Sequence, residues 1–114
     1  MLNIFKRKRI VIRTKIRGVT FNNPDGSNRQ KILKRCRKGE SLVLKHTPIP
    51  GHPNAVSVLR KNGELLGFIS AELCSQIAEY IKAKNKIYCQ ILQVTGGRIW
   101  HKKTRGCNIK ITIR

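Results

Sequence analysis

Three histidines (His46, His52, His101) and four cysteines (Cys36, Cys74, Cys89, Cys107) are the side chains with the most chemical reach in this sequence. A nucleophile needs a base beside it and a third group to orient that base. The chain carries only five carboxylates (Asp25, Glu40, Glu64, Glu72, Glu79), and no nucleophile motif surrounds any of its cysteines or serines. So few acids also argue against a two-metal nuclease or a paired-carboxylate hydrolase. His101 and Cys107 are close enough in sequence to share a metal, but two further ligands would be needed, and there is no CxxC pair. Gly96-Gly97 is followed by neither Gly-Lys-Ser nor Gly-Lys-Thr, so it is not a phosphate-cradling P-loop. The expectation is a non-enzyme with no metal and no cofactor, its cysteines reduced and mostly buried.

The basic residues are the remaining chemical signal. Twenty-five Lys and Arg against five acids give 114 residues a formal net charge of +20. Charge of that size is self-repulsive, and a polyanion relieves the repulsion. The hydrophobic share of 39% is too high for a disordered polybasic tail, so the charge sits on a folded domain. Binding through phosphates needs several cations on one face, so that counterions are released together. Arg13, Lys15 and Arg17 share a strand face, Lys110 and Arg114 another, and Arg29, Lys31, Lys34 and Arg35 fall in one short helix. Lys102, Lys103 and Arg105 lie in the last loop.

An unpaired base also needs a flat ring to stack on. Tyr80 and Tyr88 read as structural, whereas Phe21 and Trp100 each end a strand beside a basic or polar loop.

The elements that must position these groups are short. Ile10 to Phe21 alternates and is β-branched, a strand pattern. Unbroken alternation puts Val19 and Phe21 on the basic face; a bulge at Gly18 sends both inward. Parity alone leaves Phe21 open. Asn22–Asn28 is a turn-rich loop in which Ser27 or Asn28 can cap a helix over Arg29–Arg37. Strands follow at Ser41–His46 and Ala55–Arg60, around a loop stiffened by three prolines. Asn62-Gly63 predicts a type I′ hairpin into a strand at Leu65–Ile69. Ser70 caps a helix to about Ala83, with Leu73, Ile77, Ala78 and Ile81 as its buried stripe. Lys86–Thr95 and Cys107–Arg114 complete the set, the last alternating Cys107, Ile109, Ile111, Ile113 with polar residues. The expected fold is mainly β with two short helices (α+β), an OB-like or SH3-like small barrel of about six strands. Residues 1–9 form a basic N-terminal arm and residues 10–114 one domain. No run approaches a membrane span, so the expected setting is soluble and cytoplasmic.

Taken together, Ile16–Gln30, Gly39–Leu44, Pro53–Val58, Asn62–Ile69 and Gly106–Ile111 resemble the HIRAN domain family, stand-alone bacterial members included, over about residues 14–113. The resemblance implies a modified OB barrel that binds DNA, known in fork-remodelling helicases for grasping a single-stranded 3′ end. It implies that Phe21 stacks on a base and that Thr20, His52, Asn54 and Phe68 line the end pocket. Arg17, Arg29, Lys102 and Lys103 are the expected phosphate contacts. Two departures stand out. The family's second aromatic and its acid, in an Asn-Pro-Tyr-Asp-type loop, are replaced here by Pro50-Gly51-His52-Pro53, and the basic residue before the first aromatic is Thr20. A carboxylate accepts a hydrogen bond from a 3′-hydroxyl, whereas His accepts one only when neutral, so selectivity for a free 3′ end should weaken. The expected function is single-stranded DNA or 3′-end binding in repair or stalled-fork processing, with a helicase or nuclease supplied by another chain and nucleoid association when DNA-bound. A ribosome-associated RNA binder and a protein-interaction domain are the rival readings.

Overall fold

In the computed structural model, residues 9–97 and 104–114 are described. Most of the basic arm, together with Trp100, His101, Lys102 and Lys103, lies outside them. The chain runs β1 (Ile10–Lys15), α1 (Arg29–Lys34), β2 (Ser41–His46), β3 (Val56–Arg60), β4 (Leu65–Phe68), α2 (Ala71–Lys82), β5 (Ile87–Gly96) and β6 (Arg105–Ile113). All strand pairs are antiparallel, in the order β1-β6-β5-β2-β3-β4. The sheet curls so that its two edges meet. The backbones of Arg17, just past β1, and Phe68, at the end of β4, exchange two hydrogen bonds of 2.7 and 2.9 Å. This is the expected small OB-like barrel, mainly β with two helices.

Alternation builds the core. Cys107, Ile109, Ile111 and Ile113 of β6 point inward and meet Cys89 and Ile91 of β5, Val56 and Val58 of β3, and Leu66 of β4. Ile32 and Leu33 from α1 and Ile77 and Ala78 from α2 join them. Cys36, Cys89 and Cys107 are free and buried, and burial pushes the Cys36 thiol up to about 11 and the other two up to about 12. Such thiols carry almost no thiolate at neutral pH and are poor nucleophiles.

Two local expectations need correction. The first strand ends at Lys15, not Phe21. Gly18 takes φ +75°, and the Phe21 amide donates to the Gly18 carbonyl at 3.2 Å, closing a tight turn. A turn separates what parity held together: Val19 packs against the core while Phe21 is 66% exposed. The hairpin at Asn62-Gly63 is also not type I′, which needs positive φ at both residues. Only Gly63 has it (φ +95°), and the Arg60 amide donates to the Glu64 carbonyl across a three-residue loop. Arg60 pairs with Glu40 and Glu64, and Arg35 with Glu64, so two of the five carboxylates go into bracing this corner.

The end of α2 carries stored strain. The Asn85 amide donates to the Tyr80 carbonyl and that of Lys84 to Ile81, the Schellman arrangement, with Lys84 at φ +60° where glycine is favoured. Lys84→Gly is expected to stabilise the domain by about 1 kcal/mol, since a Cβ in the left-handed region costs roughly that much. Urea melts with an unchanged m-value and a higher midpoint would show it; a lower midpoint would contradict it.

Candidate functional site

The barrel closure, the Gly18 turn and the start of α2 surround a groove of about 560 Å³. Each wall has a local cause. Gly67 allows the closure, because a Cβ there would stand 2.3 Å from the Arg17 carbonyl oxygen. This close approach holds Arg17 and Phe68 side by side at the rim. The Gly18 turn swings the Phe21 ring outward over the opening. Opposite, the proline loop folds back on itself: the Ile49 and His52 amides and carbonyls bond each other at 2.8 and 3.2 Å, and His46 Nε2 lies 2.9 Å from the Pro53 carbonyl oxygen. That fold turns Ile49 and His52 toward the groove.

Arg29 is the floor. Its helix is capped by Asn28, whose Oδ1 accepts from the Lys31 amide at 3.0 Å. As the first helical residue, Arg29 points inward and is only 6% exposed. Its Nε donates to Asn23 Oδ1 at 2.6 Å and its Nη1 to the Gly18 carbonyl at 2.8 Å. Its guanidinium carbon lies 5.6 Å from the centre of the Phe68 ring, within cation–π range. All five carboxylates of the sequence belong to described residues, and none reaches it within ion-pair distance. Burial draws its pKa below the ordinary arginine value, yet a guanidinium stays protonated. A buried cation without a counter-charge is costly, and here it faces an open groove.

The structure therefore brings together Arg17, Phe21, Arg29, His52 and Phe68, five residues expected from the sequence. It does not bring in Thr20 or Asn54. Thr20 is exposed and lines a neighbouring depression with Lys15, Thr104 and Arg105, and Asn54 is half-buried and lines neither. Lys102 and Lys103 lie outside the described residues. Sequence reasoning missed the apolar lining from Ile49, Ala55, Ile69 and Cys74, which no single periodicity marks because it is gathered from a loop, the segment after β4 and the first turn of α2. It also missed that Arg29 is internal. In a run of basic residues, only the Asn28 cap sets which one faces the core. Among the described residues, no three His, Cys, Asp or Glu side chains cluster as metal ligands, and no helix is long and apolar enough to cross a membrane.

No family model matches the chain, and no curated protein matches its sequence. Solved structures do match its fold. The HIRAN domain of human HLTF is similar at a TM-score of 0.67 with 18% identity, covering 90% of this chain and 74% of that one. A protein from Lactobacillus plantarum is similar at 0.65 with 14% identity, covering 94% of this chain and 100% of that one. The fold of this chain is that of a HIRAN domain.

Proposed function

We propose that this chain is a non-enzymatic nucleic-acid-binding module that receives single-stranded DNA, including its 3′ end, in the groove between Phe21 and His52. The observation that carries the reading is Arg29, a nearly buried cation with no carboxylate partner, lining the same groove as Phe21, whose side chain is 66% exposed. An anionic strand supplies the missing counter-charge, and its base supplies the face that Phe21 lacks. Arg17 adds a second cation at the rim, and Phe68 stands behind Arg29. His52 occupies the place where a carboxylate would grip a 3′-hydroxyl, so the groove holds a strand more firmly than it selects an end. Repair or stalled-fork processing is the fitting context, with a helicase or nuclease on another chain acting on the strand presented.

Fluorescence anisotropy over a range of salt, with matched single strands ending in 3′-hydroxyl or 3′-phosphate, tests this. Submicromolar binding at low salt that falls linearly with log salt, with similar affinity for the twins, is expected. A strong preference for the hydroxyl twin would place the terminal nucleotide in the groove despite Gly51 and His52. Duplex bound as tightly as single strand would overturn the reading.

A further inference from the structure

We propose that the outer face of the β1–β6–β5–β2 wall is a second nucleic-acid surface, in which cations on neighbouring strands hold the phosphates of a single strand and Tyr88 stacks on one of its bases. It encloses a groove of about 730 Å³ that shares no lining residue with the Phe21 groove.

Strand alternation creates the face. Wherever Ile109, Ile111 and Cys89 point into the core, Lys110, Thr112, Tyr88 and Gln90 must point out. The register then sets Arg13 directly opposite Lys110, and Lys110 opposite Gln90. A like-charge pair facing across two strands is destabilising, and none of the five carboxylates lines this face to relieve it. Arg9, Lys61 and Arg114 extend the same positive field. Such an array answers to a linear polyanion. Outward residues on a strand recur every about 6.7 Å, twice the rise per residue, and an extended polynucleotide places successive phosphates at a comparable interval.

Tyr88 makes the polyanion a nucleic acid. Tyr88 is 53% exposed near the start of β5, opposite Thr112, with the Arg114 guanidinium carbon 5.6 Å from its ring centroid. Arg114 is itself anchored: its amide donates to the Lys86 carbonyl and its carbonyl oxygen accepts from Asn85 Nδ2, both at 2.9 Å. A half-exposed ring braced by a cation, opposite Thr112 and one diagonal step from Lys110, is a stacking platform for a base. Two such surfaces let one chain hold two strands at once.

The test is binding stoichiometry with a thymidine oligomer of about six nucleotides, within the span of one barrel site. Native mass spectrometry should find two oligomers per chain for the wild type and one for Tyr88→Ala or for Phe21→Ala. Tyr88→Ala is expected to weaken the outer site on the order of tenfold. Should that variant melt early, Arg13→Gln with Lys110→Gln keeps the ring and is expected to flatten the outer site's salt slope by about 1.4. One oligomer per wild-type chain, lost with Phe21→Ala and kept with Tyr88→Ala, would overturn the proposal. One oligomer lost with Tyr88→Ala and kept with Phe21→Ala would support it and sink the Phe21 groove instead. Amide shifts at Tyr88 and Thr112 on adding poly-glutamate but not the oligomer would assign the face to an acidic protein and overturn it.

Discussion

Gly67→Ala is expected to lower the stability of this domain by about 3 kcal/mol or more, on the order of 15 °C in melting temperature, and to abolish groove binding with it. The reason is space. An alanine Cβ would lie 2.3 Å from the Arg17 carbonyl oxygen and 2.6 Å from Ile16 Cγ2, and the first of these is backbone that cannot turn aside. Relief requires parting Arg17 from Phe68, which breaks both hydrogen bonds of the barrel closure at about 1 kcal/mol each and opens Ile16, only 4% exposed, to water. A domain with 5–15 kcal/mol in total, the usual order of magnitude, has little margin for such a loss. Gly63→Ala is the control. It also sits at positive φ (+95°), but nothing lies within 4 Å of its Cβ, so its cost should stay near 1 kcal/mol. Thermal melts of both variants decide the matter. Equal destabilisation would mean that backbone conformation, and not closure of the barrel, accounts for the effect.

Phe21→Ala should do the opposite: leave stability unchanged within about 0.5 kcal/mol and weaken the groove's hold on a single strand between about fivefold and a hundredfold. The ring is 66% exposed and lies outside the core, so its removal leaves no cavity. What positions it is backbone. The Gly18 carbonyl accepts both from the Phe21 amide at 3.2 Å and from Arg29 Nη1 at 2.8 Å, and alanine keeps both bonds. Anisotropy on a Tyr88→Ala background reads the groove alone. Phe21→Trp should restore affinity there, since any flat ring serves a base. Full affinity in a folded Phe21→Ala variant would remove the ring from the site.

Much of this fold was legible along the chain. The Cys107–Ile113 alternation, the Leu73/Ile77/Ala78/Ile81 stripe and the Ser41–His46 strand all come from periods of two and 3.6, which depend only on local backbone geometry. Asn28 was legible as one of two possible caps for the same kind of reason: its side chain reaches an amide three residues on. The resemblance spread over Ile16–Gln30 and Asn62–Ile69 also matched the fold that the solved structures share. The hairpin at Gly63 was legible as a turn but not as to its type, because Asn-Gly serves both a two-residue loop and a longer one closed by glycine.

By itself, then, the sequence determined a mainly β pattern of short strands suited to a small barrel, and a strongly positive chain with only five acidic side chains. Composition and periodicity are properties of neighbours in the chain, and those conclusions need nothing else. Only the tertiary structure decided where Phe21 points, because one positive φ at Gly18 outweighs the parity of the strand before it. Only the tertiary structure separated Arg29 from the other cations of its segment and set it unpaired beneath Phe68. That placement depends on Gly18, Asn23 and Phe68 converging from three parts of the chain. The spatial relation of charges is fixed by strand register and barrel closure, and both are contacts between residues that the sequence holds far apart.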